Sequence, residues 1–160
     1  MQTLKWATID KSSWRDGSWK SEPDKMQWTD NKTKYPCLIK RNPYGALCGY
    51  VGVEETHPAF GQGYDDVDVD VHGGLTFADR CQEGPIEKQP ELICRIPDAG
   101  ESDNIWWLGF DCAHANDLMP GYPTYSDMMF PLRGVYRNVN FVKNECRRLA
   151  AQLKAMETKP

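Results

Sequence analysis

Residues 35–53 read YPCLIKRNPYGALCGYVGV, and this stretch decides the fold. Two apolar, β-prone runs flank Asn42-Pro43-Tyr44-Gly45. Proline presets the backbone for the first turn position and glycine accepts the left-handed conformation that follows, so the segment predicts a β-hairpin. Centring the turn on Pro43 and Tyr44 sets Ile39 opposite Cys48 and Cys37 opposite Tyr50. Both cysteines then lie on one face as diagonal neighbours. They could form half of a metal site, but small apolar fillers in a packed sheet are the ordinary reading of buried cysteine.

Outward from the hairpin, residues 64–77 (YDDVDVDVHGGLTF) alternate cleanly. Val67, Val69 and Val71 take one face, and Asp66, Asp68, Asp70 and His72 the other, the period of a half-buried strand. ELICRIP (91–97) and IWWLGF (105–110) read as further short strands. Residues 1–25 are polar and turn-rich around Trp14 and Trp19, which predicts an irregular arm pinned to the body by tryptophan burial. Residues 26–120 supply the sheet-forming core. From Val139 onward, Val142, Cys146, Leu149, Leu153 and Met156 follow at spacings of three and four, with Asn138 as N-cap. That is one apolar stripe on a helix over 138–157. The expected fold is a single α+β domain: a twisted, mostly antiparallel sheet with one long C-terminal helix packed on a face.

The composition, 40% hydrophobic and 26% charged, is that of an ordinary globular chain, and 160 residues suffice for a real core. A net charge of -4 argues against a nucleic-acid partner, which needs a basic face. The one basic cluster, Lys143, Arg147, Arg148 and Lys154, reads as a solvated helix face. The N-terminus lacks the apolar core of a signal peptide and no stretch matches a membrane span, so a cytoplasmic setting without a membrane partner is expected. In that setting the six cysteines are expected to be free thiols, and no C-x-x-C pair marks a zinc knuckle.

The candidate chemistry sits where apolar runs end. WWLGFDCAHANDLMP (106–120) passes from a core-like run straight into Asp111, Cys112, His114 and Asp117. The D-x-x-H-x-x-D spacing brings Asp111, His114 and Asp117 near one face of a helical turn. Carboxylate oxygen with imidazole nitrogen suits Zn, Mn or Fe, and His72 would complete the set. An ordinary structural cluster, with Asp111 as a cap and His114 on a carbonyl, fits the same spacing. Asp70 and His57 are the candidate general bases. Cys112 as a nucleophile finds no supporting signature, and no glycine-rich phosphate loop or other nucleotide-cofactor motif is present.

EPDKMQWTD (22–30), the hairpin segment, HPAFGQGYDDVDVDVHGGLTF (57–77), WWLGFDCAHANDLMP and YRNVNFVKNECRRLAAQL (136–153) together resemble a family of small bacteriophage and prophage proteins with no established activity. The resemblance covers most of the chain. It implies a phage-related role in the bacterial host cytoplasm and assigns no catalytic residue. The reading that follows is a metal-assisted hydrolase of a phosphoester or nucleotide-derived small molecule. Its alternative is a non-enzymatic binder that sequesters a small molecule or inhibits a host protein, through aromatic groups such as Trp14, Trp19, Tyr64, Trp106 and Trp107.

Overall fold

A computed structural model of the chain describes residues 2–122 and 134–158. Six strands form one sheet: β1 (Leu4–Trp6), β2 (Lys25–Thr29), β3 (Pro36–Arg41), β4 (Leu47–Val53), β5 (Phe77–Arg80) and β6 (Trp106–Asp111). Their order is β1-β2-β3-β4-β6-β5, and every neighbouring pair is antiparallel. One long helix, α1 (Val139–Met156), packs across a face, giving the α+β fold expected from the sequence.

The hairpin forms, but its register differs by one residue from the simplest reading. Asn42 N–H donates to the Ala46 carbonyl and Gly45 N–H to the Asn42 carbonyl, so the connection is Pro43-Tyr44-Gly45, with Gly45 left-handed at φ 94°. A three-residue loop of this kind pairs Ile39 with Gly49 and Lys40 with Cys48. A one-residue slip exchanges faces. Cys37 therefore faces α1 while Cys48 lies on the opposite face beside Tyr50, and the two cysteines cannot share a site.

The α1 face carries Met26, Trp28, Ile39, Val51, Leu108 and Phe110 against Val142, Cys146, Leu149, Ala150 and Leu153. The predicted stripe is thus the buried one. Its close approach depends on Gly49, where a Cβ would stand 2.5 Å from the Phe110 ring and 2.9 Å from Cys146 Sγ. Asn138 accepts the Phe141 N–H at 2.9 Å as the predicted cap.

Residues 2–25 are more ordered than an irregular arm. Leu4–Trp6 adds the edge strand β1, and Trp19 is buried edge-on to Tyr136, its indole N–H donating to the Arg15 carbonyl. Asp24 fixes this segment. Its Oδ2 accepts the N–H groups of Thr8 and Ile9, and its Oδ1 meets Lys11 Nζ at 2.7 Å and Arg41 Nε at 2.9 Å. Arg41 also donates to the carbonyls of Gly45 and Pro23 and to the Tyr136 hydroxyl. Glu22 then accepts both the Tyr136 O–H and the N–H of Val139, the first residue of α1.

Two segments that read as strands are not strands. Residues 64–66 form a short 3-10 turn and 67–72 run extended along α1 outside the sheet, with Val67 and Val71 buried. Gln152 supplies what a ladder would: its Oε1 accepts the Asp70 N–H and its Nε2 donates to the Asp70 carbonyl. Residues 94–97 likewise cross the far face of the sheet, where the buried Gln27 amide pairs with both backbone groups of Ile96. That face buries Leu38, Tyr50, Ile105 and Trp107.

Cys81 and Cys94 form a disulfide, correcting the expectation of free thiols throughout; Cys37, Cys48, Cys112 and Cys146 are free. Among the described residues no helix is long and apolar enough to cross a membrane.

Two predictions follow from the packing. Leu149 and Leu153 are 0% exposed, so replacing either with Ala should cost about 2–5 kcal/mol in chemical denaturation. Exposed Arg147→Ala should cost well under 1 kcal/mol, and equal losses would mean that the helix phase is wrong. Non-reducing peptide mapping should recover the Cys81–Cys94 pair, with Cys37, Cys112 and Cys146 alkylated only after unfolding. Rapid alkylation of all six cysteines in the native protein would refute the pairing.

Candidate functional site

β6 ends at Asp111 because the side chain captures the chain beyond it. Asp111 Oδ1 accepts the Ala113 N–H at 3.0 Å, a local turn that bends the backbone out of the sheet, and Oδ2 accepts the Thr76 hydroxyl. A second turn follows, in which Asp117 N–H donates to the His114 carbonyl and His114 N–H returns to Asp117 Oδ2 at 3.1 Å. Asn116 is left-handed at φ 72°, and its carbonyl receives the Val135 N–H. The loop after β6 is therefore stitched to the segment that leads into α1.

These turns deliver Asp117, whose side chain is 0% exposed, to the centre of a polar cluster. His72 Nε2 lies 3.0 and 2.8 Å from its two oxygens, and Arg137 Nε donates to Oδ1 at 3.0 Å. With the His114 N–H, three donors meet the carboxylate, His72 sharing its one proton between the two oxygens. Burial alone would raise the Asp117 pKa. The hydrogen bonds from His72, Arg137 and His114 outweigh it and hold the carboxyl below its usual range.

His72 reaches the cluster from the extended segment on α1, where its own N–H donates to Glu145 Oε1. Its ring stands edge-on to Phe141 at 5.2 Å, and the Arg137 guanidinium lies over the same phenylalanine at 4.9 Å. His72 and His114 approach to 6.0 Å between ring centroids, so the two segments do meet. His114 Nε2 is 3.1 Å from Asp111 Oδ1, yet it makes no hydrogen bond: the contact has ion-pair distance without the alignment. Gly73 packs directly on that nitrogen, and a Cβ there would stand 2.2 Å from it.

The sequence-predicted residues thus separate into roles. His72, Asp111, His114 and Asp117 gather as expected, and both oxygens of Asp117 are already engaged by His72, Arg137 and the His114 N–H. Among the described residues no group of three or more His, Cys, Asp or Glu side chains is placed to hold a metal. Asp70 is exposed and paired with Arg148 at 2.8 Å, outside the cluster. His57 is buried elsewhere: Nε2 donates to the Leu153 carbonyl at 2.7 Å, and Nδ1 accepts the Ala59 N–H. Leu153 lies roughly 18 Å along α1 from Phe141, so His57 is a structural histidine with both nitrogens engaged. Cys112 points into the core, and burial pushes its thiol well above the ordinary range, which removes it as a nucleophile. Trp19 and Trp107 are packing residues rather than ligand platforms.

Arg137 is the member that sequence reasoning missed. It directly precedes the N-cap, where the helix dipole disfavours a cation, and that misplacement was a readable signal.

Comparison with protein families, curated proteins and solved structures finds no match for this chain.

Asp117 and Asp24 both have lowered pKa values, so their contribution to stability is present above about pH 4 and lost as pH falls through the lower folded values. Acid titration followed by circular dichroism should show cooperative unfolding below about pH 4. Asp117→Asn should be less stable at pH 7 by about 1–3 kcal/mol and show a shallower acid limb. An unchanged limb would place the acid sensitivity elsewhere.

Proposed function

We propose that the chain is a small hydrolase of a phosphoester, with His72 as its acid–base group and Arg137 as the cation that meets the phosphoryl oxygens. The observation that carries this reading is the His72–Asp117 pair. An ionised carboxylate only accepts, so Nε2 of His72 must hold the proton, and in the neutral ring the lone pair lies on Nδ1. Nδ1 has no protein partner among the described residues, and the side chain is 20% exposed. Orientation by a buried carboxylate is the arrangement that makes an imidazole an effective base.

In the proposed reaction Nδ1 takes a proton from the attacking water as the new O–P bond forms. It then returns the proton to the alkoxide released when the ester P–O bond breaks. Arg137 keeps its outer nitrogens available, because Nε alone binds Asp117. A metal-assisted form would hold the ion between His114 Nε2 and Asp111, and would require Gly73, which covers that nitrogen, to move aside. A nucleotide-derived host signal as the phosphoester would follow from a phage setting by analogy alone.

The test is hydrolysis of bis(p-nitrophenyl) phosphate by wild type and His72→Gln, whose amide can still donate to Asp117. The variant should lose roughly 100-fold or more in rate while its melting temperature stays within a few degrees. Loss of wild-type activity in chelator, restored by Zn or Mn, would assign the metal-assisted form. A variant as active as wild type would overturn the proposal.

A further inference from the structure

A second feature lies on the other flank of α1. Between that flank and the turn joining β2 to β3 is a groove of about 540 Å³, floored by Trp28 and walled by Asp30, Lys32, Thr33, Lys143 and Arg147. The volume falls in the range of small-molecule sites. Its charge opposes that of the whole chain: three of these side chains are cationic and only Asp30 is acidic, on a protein of net charge -4.

The cations divide into committed and uncommitted ones. Arg148, at the groove's edge, is spent on Glu145 and Asp70. Lys143 has no carboxylate partner among the described residues; its ammonium lies 5.6 Å from the Trp28 ring centroid. Among the described residues Arg147 hydrogen-bonds only to the neutral Asn144. Lys143 and Arg147 are spaced i,i+4 on one helix face, an arrangement of like charges that costs stability when nothing lies between them. Asp30 does little to relieve it. Its Oδ2 is turned into the loop, accepting the N–H and hydroxyl of Thr33 at 2.9 and 2.7 Å.

We infer that this groove binds a small phosphate-bearing anion between Lys143 and Arg147. A phosphate monoester carries a charge of about -1.5 to -2 near neutral pH, which the cations Lys143 and Arg147 can offset. A guanidinium beside an ammonium supplies forked and point-charge donors to its oxygens. A nucleic acid or membrane would need a basic face extending beyond the groove, and the chain's acidic balance opposes one. The site is independent of the His72 cluster and stands or falls without it.

Calorimetric titration of the full chain with AMP, inorganic phosphate and adenosine tests the assignment. AMP and phosphate should bind, more weakly as salt is raised, and adenosine should give no heat. The double variant K143Q/R147Q should weaken AMP binding by roughly tenfold or more, equivalent to about 1.4 kcal/mol. Lys154→Gln, a cation of the same helix outside the groove, should bind as wild type does. No binding of AMP or phosphate at about 5 mM, equal affinity in the double variant, or equal binding of adenosine would each overturn the site. So would sedimentation with phosphatidylserine vesicles when AMP does not bind, which would assign the cations to a membrane surface.

Discussion

The buried pairing of Arg41 with Asp24 is the constraint on which the remaining architecture rests. Arg41 has a side chain with no exposure, and its guanidinium is distributed over the arm, the β3–β4 turn and the approach to α1. A buried guanidinium left unpaired would be strongly destabilising, so each of these segments must be in place for the others to be tolerated. Through Tyr136 and Glu22 the network reaches the first turn of α1, where a carboxylate also suits the helix dipole. The position of α1 along the sheet is therefore fixed from its N-terminal end as well as by its apolar stripe.

Asp117 repeats the same physical logic closer to the surface. Both aspartates are buried, both accept backbone N–H groups, and both are paired with an arginine through Nε. They differ in the second partner. Asp24 has Lys11, which is buried and paired, whereas Asp117 has His72, whose ring is partly open and whose second nitrogen has no partner among the described residues. That difference separates a fully enclosed fixing element from one whose partner ring is open to solvent. It is the reason the proposed chemistry lies on the His72 side of the molecule.

Much of the fold was legible because local chemistry and burial pattern agreed. The Asn42–Gly45 turn forced a hairpin, and the spacing from Val139 to Met156 forced an amphipathic helix capped by Asn138. The gathering of His72 with Asp111, His114 and Asp117 was readable from polar groups crowding the ends of apolar runs. The roles within that cluster were not. Whether Asp117 has a free lone pair depends on Arg137 and on backbone N–H groups brought in by turns, and spacing along the chain does not encode those directions.

The sequence by itself determined the element types at 35–53 and 139–156, which faces are apolar, and which polar residues stand at the ends of runs. These follow from propensity, turn chemistry and periodicity, all local properties. Only the tertiary structure decided how the strand-like segments at 67–72 and 94–97 are held. Alternation reports that a segment has a buried side and a wet side, and it is silent on what satisfies the backbone between them. Here glutamine side chains, Gln152 and Gln27, take the place of a neighbouring strand. Register had the same character: one extra loop residue moved Cys48 to the face opposite Cys37, because the period of a strand is two and a shift of one exchanges its faces.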